Sequence, residues 1–275
     1  MQKKPETTIE PHKKNLRYWK EIWAYRELFF FLSWRDILVR YKQTVFGIAW
    51  GIIRPLMTMI VFTFIFGKLA RLPSNGIPYA LLVFSGLLPW QLFSGTFTEA
   101  SQSLINNSNL LTKVYFPRLI IPASTVLISC VDFLISFAIM LGLMLYYHFW
   151  PGWQILLLPL LLVFILITSM GAGFYISALN VKFRDFRYVV PFILQFGLYL
   201  SPVGFNSSIV PENLKFFYSL NPLVGIIEGF RFVILGQSFS IYWPGFILSV
   251  VITIFIFFYG IYYFRKMERE FADFI

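Results

Sequence analysis

The stretch SQSLINNSNLLTKVYFPRLIIP, residues 101–122, decides how the chain is built. It separates two long apolar runs and carries three Asn, Lys113 and the tripeptide Phe116-Pro117-Arg118. So many donors and acceptors do not suit hydrocarbon, where no water is present to satisfy them. The chain therefore leaves the membrane here and re-enters it. Lys and Arg accumulate in cytoplasmic loops, which assigns this one to the cytoplasm. Leu104, Ile105, Leu110, Leu111 and Val114 form an apolar set that predicts a short amphipathic helix, a surface on which something outside the membrane can push.

Composition agrees with a membrane solvent. Of 275 residues, 58% are hydrophobic, 13% are charged, and mean hydropathy is +0.70. Soluble domains are nearer about a quarter charged. The chain reads as one all-α polytopic membrane domain. A net charge of +10 raises the question of nucleic acid. The basic residues flank apolar runs, however, as membrane orientation requires, so no nucleic-acid partner is expected. Cys130 is alone, which excludes an internal disulfide and a Cys-rich metal site. The first 27 residues are polar and end in no small-residue cleavage site, so no cleavable signal peptide is expected.

Working outward from residues 101–122, the apolar runs lay out the topology. On the N-terminal side lie a charged extension, residues 1–27, and then residues 28–42, apolar but broken by Arg35, Asp36, Arg40 and Lys42. That pattern predicts a helix lying in the cytoplasmic interface. Residues 45–67 are the first crossing, with a kink expected at Arg54-Pro55, and residues 79–100 are the second. On the C-terminal side, residues 120–147, 154–179 and 241–264 are crossings, and residues 189–200 are a shorter fifth run ending at Ser201-Pro202. The proposed cytoplasmic pieces hold eighteen Lys and Arg and the outer pieces four, which places both termini in the cytoplasm and gives six crossings. Residues 201–240 are too polar to span and too apolar for a free loop. Pro202, Pro211 and Pro222 divide them, predicting two short helices that dip into the outer leaflet as an outer gate.

Six stretches, taken together and in order, resemble the membrane subunit of ATP-binding-cassette exporters of bacterial polysaccharides (the O-antigen, capsule and teichoic-acid permeases). They are RYKQTVFGIAW with Pro55, PSNGIPYALLVFSGLLPWQLFS, SQSLINNSNLLTKVYFPR, NVKFRDFRYVVPF, YLSPVGF and SLNPLVGIIEGFR. The resemblance implies a homodimeric channel in the bacterial inner membrane, two cytosolic nucleotide-binding ATPase subunits as partners, and a lipid-linked polysaccharide as cargo. It also implies an interface helix before the first crossing, a coupling helix after the second and paired gate helices between the fifth and sixth. Two features depart from the pattern: the long extension before Arg26, and Arg54 where an apolar or small residue is expected.

Loop position and this resemblance together make Lys113, Tyr115, Phe116 and Arg118 the candidate ATPase-coupling residues. No G-x-x-x-x-G-K-[ST] motif occurs, so ATP and Mg belong to the partner and this chain is expected to carry no cofactor and no metal. His12 and His148 are too few and too far apart for a zinc site. Aromatic residues make up 20% of the chain, and most suit interfacial belts and lipid-facing bulk. Two sets at helical spacing, Tyr41, Phe46 and Trp50, and Phe192, Phe196 and Tyr199, are candidates for a sugar path, because the C–H faces of sugar rings stack on aromatics. Arg54 inside a crossing either contacts a lipid-linked diphosphate, snorkels, or pairs with Asp132. Glu228 and Arg231, three apart, form either a simple pair or a latch between gate segments. Two rival readings are a polytopic enzyme acting on lipid-linked sugars, which would need a cluster of acids or His at one membrane face, and a drug or small-molecule exporter of the same superfamily.

Overall fold

The computed structural model describes residues 15–42, 47–183, 185–236, 241–268 and 270–271. Among them there is helix and no strand. The order is α1 (Asn15–Ala24), α2 (Arg26–Lys42), α3 (Gly47–Phe62), α4 (Tyr79–Asn106), α5 (Ser108–Lys113), α6 (Ile120–Ser124), α7 (Val126–Tyr146), α8 (Leu158–Lys182), α9 (Phe186–Leu200), α10 (Glu212–Tyr218), α11 (Pro222–Leu235) and α12 (Trp243–Met267). Residues 15 and 271 lie at the same end of the bundle, here the basal face; the α10–α11 end is the apical face.

α4 is the axis of the fold. Its membrane window is 78% buried, whereas the other long spans are 17 to 33% buried. Its 28 residues measure about 42 Å at 1.5 Å per residue, more than a hydrocarbon core of about 30 Å. The excess projects at the basal face. There Ser101, Ser103 and Leu104, expected in a loop, continue the helix and are buried. The helix of the second crossing therefore runs on to Asn106 rather than stopping at Ala100. Leu104 and Ile105 belong to it, and only Leu110 and Leu111 of the apolar set lie on the short helix α5.

Lipid tails are as apolar as Leu, so close packing rather than hydrophobicity joins membrane helices. α8 and α12 cross where a Cβ on Gly260 would meet the Gly171 carbonyl oxygen at 2.1 Å. Thr168 and Thr253 share a hydroxyl hydrogen bond of 2.8 Å across the same contact. A Cβ on Gly173 would lie 2.7 Å from that of Ala100, which sets α8 equally close to α4.

Five helical spans, Ala49–Leu69, Tyr79–Asn106, Ile120–Tyr146, Trp153–Lys182 and Trp243–Met267, are long and apolar enough to cross, or six if the bent α10–α11 pair is taken as one. The helix of the first runs through Pro55, since one proline removes one ladder hydrogen bond; the irregularity falls later, in the π-helical stretch Thr63–Leu69. α9 has 15 residues, about 22 Å, and does not cross by itself. Residues 201–206 complete the pass in non-helical form, bringing the Gly204 carbonyl to the hydroxyl of Tyr79, 2.7 Å away at the apical start of α4. α10 and α11 then make a hairpin bent by 108°. Its vertex is pinned by Asn221, which donates to Ser201 Oγ at 2.9 Å and caps α11 through the Leu223 N–H at 3.1 Å.

Candidate functional site

At the basal face α5 and residues 114–119 form the candidate coupling surface. Lys113 is exposed, as are Val114 and Tyr115. Phe116, 5% exposed, turns the other way into a basal core with Tyr18, Leu32, Leu104, Phe264 and Phe271. Arg118 also faces inward. Its backbone N–H donates to Glu268 Oε1 at 2.9 Å, and its guanidinium donates to the Glu268 carbonyl at 3.0 Å and lies over the Phe271 ring. The second carboxylate oxygen of Glu268 accepts from the Tyr18 hydroxyl at 3.0 Å, and Arg265 sits over the Tyr18 ring, 4.5 Å from its centroid. Burial pushes the Glu268 carboxyl above the usual carboxylate range; the Arg118 N–H, the Tyr18 hydroxyl and the Arg118 and Arg265 charges oppose it. Burial, then the Glu268 charge and the Tyr18–Glu268 hydrogen bond, raise the Tyr18 hydroxyl, while Arg265 lowers it. Of the four candidate coupling residues, Lys113 and Tyr115 are surface and Phe116 and Arg118 are anchorage. Glu268 and Phe271 were not singled out from sequence, and Tyr18, whose setting among charges suits a membrane surface, is instead buried in this core at 8% exposure. The available hint was an acid inside the basic run Arg265, Lys266, Arg269.

Charges hold the helix α2 in place. Arg40 bridges Glu99 at 3.2 Å and Asp132 at 2.9 Å. The Tyr41 hydroxyl donates to the other oxygen of Asp132. Arg35 reaches Asn107 at 2.8 Å, and Ser33 donates to the Ser124 carbonyl at 2.9 Å. Asp132 thus finds its partners on α2 and not in Arg54. Arg54 lies exposed on α3 with its guanidinium over the ring of Trp50, one helical turn back and 50% exposed.

The two aromatic sets fall apart in space. Phe46 lies outside the described residues, and the Tyr41 hydroxyl is engaged by Asp132. Phe192, Phe196 and Tyr199 share the exposed face of α9, with the first two rings 4.5 Å apart. Phe192 and Phe196 line an apolar cavity of about 610 Å³ with Trp90, Phe93 and Phe217; Tyr41, Trp50 and Tyr199 do not line it.

At the apical face Glu228 and Arg231 do not pair with each other; each reaches the segment after α9. Arg231 is 1% exposed and donates to the carbonyls of Phe205 at 2.7 Å and Val203 at 2.9 Å. Those carbonyls have left the helical ladder at membrane depth, and the guanidinium satisfies them in place of water. Gly86 makes the room: a Cβ there would lie 2.8 Å from the Val203 oxygen and 2.9 Å from Arg231 Nη2. Glu228 accepts from the Ser207 hydroxyl.

Long apolar helices packed around a buried axis define an all-helical, multi-pass membrane protein. The chain belongs to the ABC-2 type transporter family, which it matches over residues 27–235. Among characterised relatives, it is 30% identical to the O-antigen export system permease protein RfbA of Klebsiella pneumoniae over 250 residues, 87% of this chain and 91% of that one. The protein of the same name from Myxococcus xanthus is 28% identical over 218 residues, 78% of this chain and 83% of that one. The polysialic acid transport protein KpsM of Escherichia coli is 24% identical over 202 residues, 70% of this chain and 76% of that one.

Proposed function

We propose that this chain is the membrane subunit of an ATP-driven exporter that moves a lipid-linked polysaccharide across a bacterial inner membrane. The observation that carries the reading is its nearly end-to-end likeness to a permease named for O-antigen export, 87% of one chain against 91% of the other. The likeness to a polysialic acid transporter widens the cargo class from O-antigen to polysaccharide. Two copies form the channel, and two cytosolic ATPase subunits bind ATP and Mg and supply the energy. The basal face is cytoplasmic, in keeping with its share of Lys and Arg.

The mechanism follows from how the helices are joined. An ATPase pressing on Lys113 and Tyr115 moves a loop whose Phe116 and Arg118 are fixed into the basal core. Two continuous helices leave that core: α4, whose apical end holds Gly204 through Tyr79, and α12, which packs along α11. Force at the basal face thus arrives at both sides of the hairpin that closes the apical face. Phe192, Phe196 and Tyr199 on α9, with Trp50 on α3, present rings to a passing glycan, and Arg54 is placed to meet the diphosphate that links it to lipid. Many weak stacking contacts let a polymer slide without a deep trap.

Deleting the gene tests the reading. Surface glycan should vanish while lipid-linked chains accumulate inside the cell. Unchanged surface glycan in the deletion strain refutes it.

A further inference from the structure

The apical face holds a second cavity, of about 220 Å³, to which the reading above gives no role. Three separate parts of the chain build it: Asn75 from the loop before α4, Asn206 and Ser208 from the segment after α9, and Lys215, Tyr218 and Glu228 from the hairpin, with Tyr242 closing one side. We propose that it binds one sugar unit, a pyranose of the emerging glycan. The choice of sugar rests on the export reading; the binding chemistry stands on the cavity itself.

Two observations select the ligand. First, the lining mixes amides and a hydroxyl, which both donate and accept, with a carboxylate that accepts and an ammonium that donates. Such a mixture matches hydroxyl groups, each of which also does both. Second, one Glu and one Lys cancel, so the cavity has no net charge to hold a free cation or anion, and the two Tyr rings offer faces for the C–H side of a pyranose.

Position gives the cavity its role. Tyr218 also lines the 610 Å³ apolar cavity that holds Phe192 and Phe196. Its ring is the wall between the aromatic groove and the polar cavity. A sugar leaving the aromatic groove therefore meets the polar cavity on the other side of one side chain. The cavity is a station beyond the gate hairpin, where hydrogen bonds to hydroxyls replace stacking.

The experiment uses the full chain in lipid nanodiscs without ATPase. Glucose, galactose, mannose, rhamnose and N-acetylglucosamine, each at millimolar concentration, are screened by saturation-transfer NMR. At least one should bind. Tyr218→Ala, which removes one of the two ring faces, should weaken it roughly fivefold. Asn75→Gly removes an amide and keeps the positive φ of 53° that Asn75 adopts, and it should weaken binding by a similar factor. No binding by any probe overturns the proposal, as does binding that both variants leave unchanged. The export reading fails separately. Variant-sensitive binding in a protein whose deletion spares surface glycan would uphold the cavity and sink the export role. Loss of glycan on deletion with no sugar bound would do the reverse.

Discussion

The basal and apical ends of this molecule each bury a charge, and they hold it differently. At the basal end Glu268 has a hydroxyl and an amide on its oxygens, with the Arg118 and Arg265 charges close by. At the apical end Arg231 is held by two neutral carbonyls, and its Nε has no partner. The basal knot lies beyond the end of α12, has several holders, and can lose one. At the apical end Tyr79, Glu228 and Asn221 also hold the segment after α9, at Gly204, Ser207 and Ser201, but Arg231 alone satisfies two of its carbonyls.

Breaking the apical tie should have the largest effect. Arg231→Ala leaves two carbonyls unsatisfied and should cost about 3 kcal/mol or more, read as a lower denaturant midpoint in detergent. Arg231→Lys, which keeps the charge without the planar fork, should recover only part of this. Equal stability of Arg231→Ala and wild type would erase the contrast between the two ends. Glu268→Ala should cost less, about 1–2 kcal/mol, because Arg118 is only half-buried and can turn to water.

Titration sharpens the same comparison. The folded protein raises the Glu268 carboxyl, so the folded state binds its proton more tightly than the unfolded state. Its contribution is therefore favourable below the ordinary carboxylate pKa and declines as pH rises through the raised value. Glu268→Gln should flatten that decline, and an unchanged pH profile would show that the knot does not titrate. Lys113→Glu should change stability least, within about 0.5 kcal/mol, because Lys113 is exposed. Combined with Arg118→Glu it should uncouple ATP hydrolysis from export, and full export by the double variant would remove the coupling role.

Much of this was legible in the sequence because hydropathy is local. Five long apolar runs became the spans, and the prolines after α9 marked where the chain breaks into the short bent helices α10 and α11. Contacts far apart in sequence were not legible. Arg118 and Glu268 are 150 residues apart, and nothing in either neighbourhood names the other. Arg231 could not be read correctly for a different reason: its partners are backbone carbonyls, which every residue has. Glu228, three residues away, was the visible candidate; the shortness of the run that became α9 was legible, but not which side chain would meet the carbonyls beyond its end. The end of α4 was misplaced because Ser101, Ser103 and Asn106 look like loop residues, whereas α8 supplies polar partners there, such as Asn180 donating to the Ser101 carbonyl at 2.7 Å.

The length of α4 has a consequence for the bilayer itself. A helix exceeding the hydrocarbon layer by about 12 Å is a ruler set against the host lipid. Thinner or thicker membranes would change how far Asn106 and the short helix after it stand clear of the headgroups, at a fraction of a kcal/mol per ångström. Turnover in vesicles should therefore vary with acyl-chain length, making lipid thickness a tuning parameter that no substitution in the chain needs to supply.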